Sequence, residues 1–210
     1  MPVSILSTKE IPAPLLAAAA GQGLSITTEK FIQIEPVAAT YNIPGKSVVI
    51  FTSANAVNNV PSFDQTWQVY CLNGATLKAV QQRMSAVGTA SDATSLAELI
   101  IRQGNITSVV FFCGNIRRDE LPNLLQQHGI TVQEIVVYKT TAIPAVTTND
   151  YDGIFFFSPS GVKSYFTLNT VPSHTVCFAI GNTTANTLKE YTTNKIITSP
   201  DVPSTAQMVQ

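Results

Sequence analysis

Four short turns carry most of the side chains in this chain that could do chemistry, and they come as two matched pairs. Residues 48–57 read VVIFTSANAV and residues 154–162 read IFFFSPSGV, each an apolar run that breaks into a small hydroxylated turn. A second apolar run and a second small-residue turn follow each, YCLNGATLKAV around Thr76 and CFAIGNTTANTL around Thr184. Ser53 and Thr76 lie 23 residues apart and Ser158 and Thr184 lie 26 apart. The pattern reads as one α/β device built twice, with its hydroxyl-rich turns able to face each other across a cleft. Hydroxyls and free N–H groups at helix starts bind anions without basic side chains, because the unpaired N–H groups and the helix dipole supply a positive field. The same residues, Ser53, Thr76, Ser158 and Thr184, also serve as plain N-caps. For four turns in two matched pairs the two readings weigh equally.

Other chemistry-bearing residues are few. Arg117 and Arg118 are the only adjacent arginines. They offer a phosphate or carboxylate site, or a solvated first helical turn complemented by Asp119 and Glu120; taken alone, the second reading is favoured. Lys9, after the first strand, is a further cation at the same edge. Tyr138 ends a strand and by itself reads as packing. His128 suits a helix end and His174 a loop, and neither has partners at metal-ligand spacing. Neither GxGxxG nor GxxxxGK[ST] occurs, and no Ser/His/Asp, Cys/His or acidic constellation is evident. No metal, flavin, nicotinamide or phosphate-ester cofactor is expected.

The elements that must hold these turns alternate strand and helix. VSILST reads as a buried strand, and PAPLLAAAAGQG as a helix opened by proline and stopped by Gly21 or Gly23. LSITTEKFIQIEPV reads as one extended run. SVVIFTS, WQVYCL, SVVFFCG and TVQEIVVYKT read as strands, with ANAVNNV, TLKAVQQRM, SLAELIIRQG and RDELPNLLQQHG as helices. After the Pro- and Thr-rich passage TTAIPAVTTND, strands DGIFFFS, TVCFAIG and KIITSP alternate with helices from GVKSYF and TANTLKEY. A last helix is expected to start at Ser204 or Thr205. Strands apolar throughout indicate parallel sheets flanked by helices on both faces. The expected fold is α/β in two domains, one inserted in the other and joined by a two-stranded link. Residues 1–35 and 144–210 form the discontinuous domain, 38–138 the inserted one, and 36–37 and 139–143 the connections. In such sheets ligands sit at the carboxyl ends of strands, where all the turns lie.

The bulk numbers close off other classes. The chain has 210 residues, a net charge of −1 and 12% charged residues. No basic block exists for nucleic acid, and no apolar run has membrane-spanning length. The N-terminus lacks the pattern of a secretory signal. Cys71, Cys113 and Cys177 lie in or at the ends of apolar strands without CxxC spacing, which argues for reduced, packed thiols and a cytoplasmic protein.

The stretch FFCGNIRRDELPNLLQQHGITVQEIVVYKT resembles the central signature of the uroporphyrinogen-III synthases. FTSANAV, FFSPSGV and AIGNTTANTL are similar to that family's turns, in the same order and spacing. The resemblance implies two α/β domains and a lyase of porphyrin (heme) biosynthesis. The implied reaction cyclises linear hydroxymethylbilane to uroporphyrinogen III, with loss of water and inversion of the last pyrrole ring. It implies Tyr138 as the catalytic residue, hydrogen-bonding the departing hydroxyl. It implies Lys9, Ser53, Thr76, Asn115, Arg117, Ser158, Ser160, Gly161, Thr183 and Thr184 as substrate-binding residues. The substrate is a polycarboxylate, the chain is expected to act as a monomer, and no nucleic acid or membrane partner is expected. The competing reading is a non-catalytic, two-domain small-anion binding protein.

Overall fold

The computed structural model describes residues 2–147 and 150–199. Thr148 and Asn149 of the Pro- and Thr-rich passage, and the helix expected from Ser204 or Thr205, lie outside the described residues. The chain divides into two compact units, residues 1–33 with 141–210 and residues 34–140.

In the inserted unit, strands β4 (Val48–Phe51), β5 (Gln68–Leu72), β6 (Gly88–Ala90), β7 (Ser108–Gly114) and β8 (Thr131–Ala142) pair in the order β8-β7-β4-β5-β6. All four pairings are parallel. Strand β3 (Ile32–Pro36) adds an edge beside β8. The Val37 N–H donates to the Val137 carbonyl and the Ile143 N–H to the Phe31 carbonyl. The numbering runs in opposite senses along these bonds, so this edge is antiparallel. Alternate side chains point to opposite faces of a strand, and both faces here are apolar. Val49, Phe51, Val69, Cys71 and Phe112 pack with Ala56 and Val57 of α2 (Ala54–Asn59) and Ala79 and Val80 of α3 (Ala75–Gln81). Ile50, Tyr70, Val109, Phe111 and Cys113 pack with α4 (Ala93–Ile101) and α5 (Glu120–Gln127). Asp92 caps α4 by accepting the Ser95 N–H at 2.8 Å.

The discontinuous unit holds β1 (Val3–Ser7), β2 (Leu24–Thr28), β9 (Gly153–Phe156), β10 (Val176–Ile180) and β11 (Ile196–Ser199) in the order β11-β10-β9-β1-β2. These pairings are parallel too. Helix α1 (Ala13–Ala20) lies against β2 and takes Pro14 in its first turn. Leu6, Ile154, Phe156, Cys177 and Ala179 pack with Val162 and Tyr165 of α6 (Pro159–Tyr165) and Ala185 and Leu188 of α7 (Gly181–Leu188).

Read across the sheets, β9-β10-β11-β1-β2 takes the places of β4-β5-β6-β7-β8. The two sheets share one spatial plan, with the chain order cyclically shifted in the discontinuous unit. Two elements differ from the sequence reading. The run LSITTEKFIQIEPV is two strands, because the chain leaves one sheet after Glu29, whose N–H still bonds the Ser7 carbonyl, and enters the other at Ile32. The three-residue β6 has no counterpart in the sequence reading. It is a short edge strand, and its Gly88 admits the Tyr70 ring, which a Cβ would meet at 2.8 Å.

Candidate functional site

Each unit presents its turns at the carboxyl ends of its parallel strands, so each is described by itself. In the inserted unit the turn after β4 is closed by Ser53, whose Oγ accepts the Asn55 N–H at 3.1 Å and caps α2. Tyr138 lies inside β8, four residues before its end and not at the strand end that the sequence suggests, because β8 runs on to Ala142. Its phenol donates to the Ser53 Oγ at 3.3 Å. Strand β7 lies between β8 and β4, so Tyr138 reaches Ser53 across it. Tyr138 is 7% exposed. Burial raises its pKa above the usual 10.0, against the opposing hydrogen bond with Ser53, so the phenol stays protonated at neutral pH. Among the described residues the Ser53 hydroxyl has no acceptor for its own proton, and Ser53 is only half-buried. The pair therefore presents a hydroxyl donor at the surface with a phenol behind it.

The turn after β5 is built differently. Gly74 is the N-cap of α3 at φ 71, with no side-chain cap, and Thr76 lies buried within the first helical turn. Thr76 is thus not an N-cap, which corrects the capping reading. Only glycine takes such a φ without strain, and it leaves the first N–H groups of the helix without a side-chain acceptor.

After β7 come Asn115 and Arg117. The Asn115 side chain is occupied by the main chain of β8: its Oδ1 accepts the Thr140 N–H at 2.7 Å and its Nδ2 donates to the Thr140 carbonyl at 3.3 Å. Arg117 is held by two carboxylates, Glu134 and Asp119, and the hydrogen bond to Glu134 raises its pKa. Arg118 pairs with Glu120 at 3.3 Å. Arg117, which the family resemblance implies as a substrate ligand, thus already has anions from the protein, and so does Arg118. The partner that sequence reading missed is Glu134, 17 residues downstream on β8.

In the discontinuous unit Ser158 caps α6, accepting the Gly161 N–H at 3.1 Å and standing 3.1 Å from the Ser160 hydroxyl. A Cβ on Gly161 would come within 3.3 Å of the Ser158 Oγ and 3.9 Å of the Thr8 Oγ1, so the turn after β1 adjoins the turn after β9. Thr8 is buried and bonds the Phe155 carbonyl through both its N–H and its hydroxyl, which fixes this turn. Lys9 stands exposed with its Nζ 5.9 Å from the centroid of the Phe157 ring, and among the described residues it has no carboxylate partner. After β10, Gly181 opens α7 at φ 75 with no side-chain cap. Thr183 is exposed, whereas Thr184 is 2% exposed and inside the helix, so it too is not an N-cap.

The three cysteines are free and buried, and burial pushes each thiol up to about 11. Among the described residues no cluster of three His, Cys, Asp or Glu could hold a metal, and no helix is long and apolar enough to cross a membrane.

Two parallel sheets on one permuted plan, with hydroxyl-rich turns at their carboxyl ends and a buried phenol at one of them, define a doubled α/β protein with a polar candidate site. Residues 15–210 match the family described as HEM4, uroporphyrinogen-III synthase HemD, and the chain belongs to it. It is 33% identical over 112 residues to the uroporphyrinogen-III synthase of Saccharomyces cerevisiae, which covers 45% of this chain and 41% of the yeast protein. The matched stretch thus spans less than half the length of that curated relative. Among solved structures, the uroporphyrinogen-III synthetase of Helicobacter pylori 26695 is similar at a TM-score of 0.71 and 19% identity, covering 98% of this chain and 97% of that one. A mutant uroporphyrinogen III synthase of Thermus thermophilus is similar at 0.68 and 13%, covering 98% and 96%. At these identities the structural likeness speaks for the fold.

Proposed function

We propose that this chain is a uroporphyrinogen-III synthase, closing linear hydroxymethylbilane to uroporphyrinogen III with loss of water and inversion of the last pyrrole ring. Family membership supports the reading, and the single structural observation that carries it is the buried Tyr138 phenol donating to Ser53 at the carboxyl edge of the sheet. The hydroxyl takes a proton from solvent and departs as water, leaving an azafulvene cation. The substituted carbon of the last ring attacks it, and the resulting spiro intermediate fragments and recloses with that ring turned over, returning a proton to solvent. Ser53 donates its own O–H to the departing hydroxyl, and the Tyr138 phenol turns its single O–H from the Ser53 Oγ to the same group when substrate is bound. A phenol whose pKa lies above 10.0 is a weak general acid, so its contribution is a positioned hydrogen bond more than a completed proton transfer.

The remaining work is orientation, since the free substrate also closes without inversion. The substrate is a polyanion and the chain carries a net charge of −1. Its carboxylates are received by Lys9, by the Ser158–Ser160–Gly161 turn, by Thr183 and the uncapped N–H groups of α7, and by the turn at Thr76. Thr184, buried in the first turn of α7, acts by holding that turn in shape. Arg117 is a structural member of this edge through Glu134 and Asp119. The protein works as a cytoplasmic monomer without a cofactor in this reading.

The test is to supply hydroxymethylbilane, oxidise the products and separate the isomers. Uroporphyrinogen III above the spontaneous background is expected. Isomer I alone, at the uncatalysed rate, would leave a small-anion binding protein as the better account.

A further inference from the structure

We propose that Gly114 and Asn115 form a seat that positions Tyr138, a role that rests on the reading of Tyr138 given above. The register between β7 and β8 slips at this point: Cys113 faces Val136, but Gly114 faces Tyr138, so β8 carries one residue more than β7. A bulge of this kind re-aims a side chain. Here it lays the phenol ring across Gly114. A Cβ at residue 114 would stand 2.5 Å from Cζ, 2.6 Å from Cε2 and 2.8 Å from the hydroxyl oxygen of Tyr138. Real contacts of that length do not occur, so any side chain at 114 displaces the ring. Only with that space open does the phenol pass over β7 to the Ser53 Oγ.

Asn115 secures the other side of the seat. Its N–H donates to the Tyr138 carbonyl at 3.1 Å, and its side chain makes both hydrogen bonds of a strand partner with the main chain of Thr140. Regular pairing of β7 with β8 ends at Gly114, and Asn115 continues it for two further residues. The asparagine is exposed, yet its amide is committed to the backbone that carries Tyr138. It is therefore a positioning residue, and its amide is not free to bind substrate.

The test uses variants of the full chain, assayed for kcat, KM and product isomer with hydroxymethylbilane, with thermal unfolding measured alongside. Gly114→Ala is expected to lower kcat about ten- to a hundred-fold with KM unchanged, the factor expected for loss of the phenol itself. In a Tyr138→Ala background the space is open, and Gly114→Ala should add no further loss, because the two changes act through one group. A further loss of similar size in that background, or a full rate for Gly114→Ala alone, overturns the proposal. If Gly114→Ala does not fold, Asn115→Ala on the exposed side carries the test, with kcat expected to fall about three- to tenfold at constant KM. A raised KM at constant kcat would make Asn115 a substrate contact and overturn the seat. A crystal structure of Asn115→Ala separates this proposal from the assignment of activity. If the unmutated chain makes no uroporphyrinogen III but the phenol leaves Ser53 in the variant, the activity fails and the seat stands. A phenol unmoved in the variant overturns the seat.

Discussion

At the carboxyl end of β4 stands Ser53, backed by the buried phenol of Tyr138. At the carboxyl end of β9, which holds the same place in its own sheet, Ser158 has Ser160 for a neighbour. The correspondence continues outward. Both second turns open their helices with an uncapped glycine at positive φ, Gly74 and Gly181, and both bury a threonine one or more residues inside, Thr76 and Thr184. At the third turns the units part. The inserted unit places Arg117 there and neutralises it with Glu134 and Asp119, whereas the discontinuous unit places Lys9, which has no carboxylate partner among the described residues. The shared plan fixes where turns go, and the side chains on them decide what each edge can do. In this molecule one edge carries a protonated phenol and the other an exposed cation.

The comparison breaks most severely if a core is opened on one side only. Phe112 is fully buried and packs against Tyr41, Phe51 and Trp67 in the inserted unit, while Phe156 packs against Tyr165 and Phe166 in the other. Phe112→Ala and Phe156→Ala should each cost about 3–5 kcal/mol. Urea unfolding followed by probes in each unit should show each variant lowering the midpoint of its own unit more than that of the other. Equal shifts everywhere would mean that the two units do not unfold as separate entities.

Next in size is the phenol. Tyr138→Phe should slow turnover about ten- to a hundred-fold, as expected for a hydrogen bond worth roughly 1.5–3 kcal/mol in the transition state, and leave the product mainly the inverted isomer. Burial holds the phenol protonated above its usual range, so the rate it supports should stay flat from about pH 7 to about pH 9. Product turning wholly to the uninverted isomer, above background, would mean that the tyrosine governs ring orientation.

The two matched serines give a smaller and sharper contrast. Ser53→Ala and Ser158→Ala each remove an N-cap hydrogen bond, at about 1 kcal/mol of stability. Ser53→Ala alone also removes the partner of the phenol, so it should lower kcat, while Ser158→Ala should act on KM. Thermal melts matched against steady-state kinetics would show the division, and identical kinetic signatures would erase it.

The strands, their parallel pairing and the two-unit plan were legible because each strand is apolar on both faces and most are fenced by Gly, Pro or hydroxyl turns. The break between β2 and β3 was hidden because Glu29, Lys30 and Phe31 are not turn residues, and the change of sheet there is a tertiary choice. The three residues of β6 are too few to show a period. At the site, the hydroxyl turns could be found from their pattern, whereas Tyr138 by itself reads as packing and is singled out only by the family resemblance. The local roles of the turns could not be found: Thr76 and Thr184 look like caps in sequence, but the preceding glycines take the turn and push both threonines one position or more into the helix. Gly114 read only as the end of a strand, since its meaning depends on a ring 24 residues away.

The smallest expected effect tests the division of charge between the two edges. Lys9→Met removes an exposed cation with no carboxylate partner among the described residues. It should raise KM for the polyanionic substrate about two- to fivefold at low salt, in line with the roughly 0.2–1 kcal/mol of exposed ion pairs. That difference should shrink as salt shortens the Debye length to a few ångströms. Arg117→Met by itself is a poor comparison, because it strands the half-buried Glu134 carboxylate and adds negative charge beside the site. Arg117→Met with Glu134→Gln removes one charge of each sign and leaves the net charge of the edge unchanged. This double variant should keep KM near that of the parent chain, although it loses some stability with the pair. The measurement is KM for hydroxymethylbilane at two salt concentrations for both variants. If the double variant raises KM in a salt-dependent way and Lys9→Met does not, the charged recognition belongs to the inserted unit, and the contrast between a phenol edge and a cation edge is wrong.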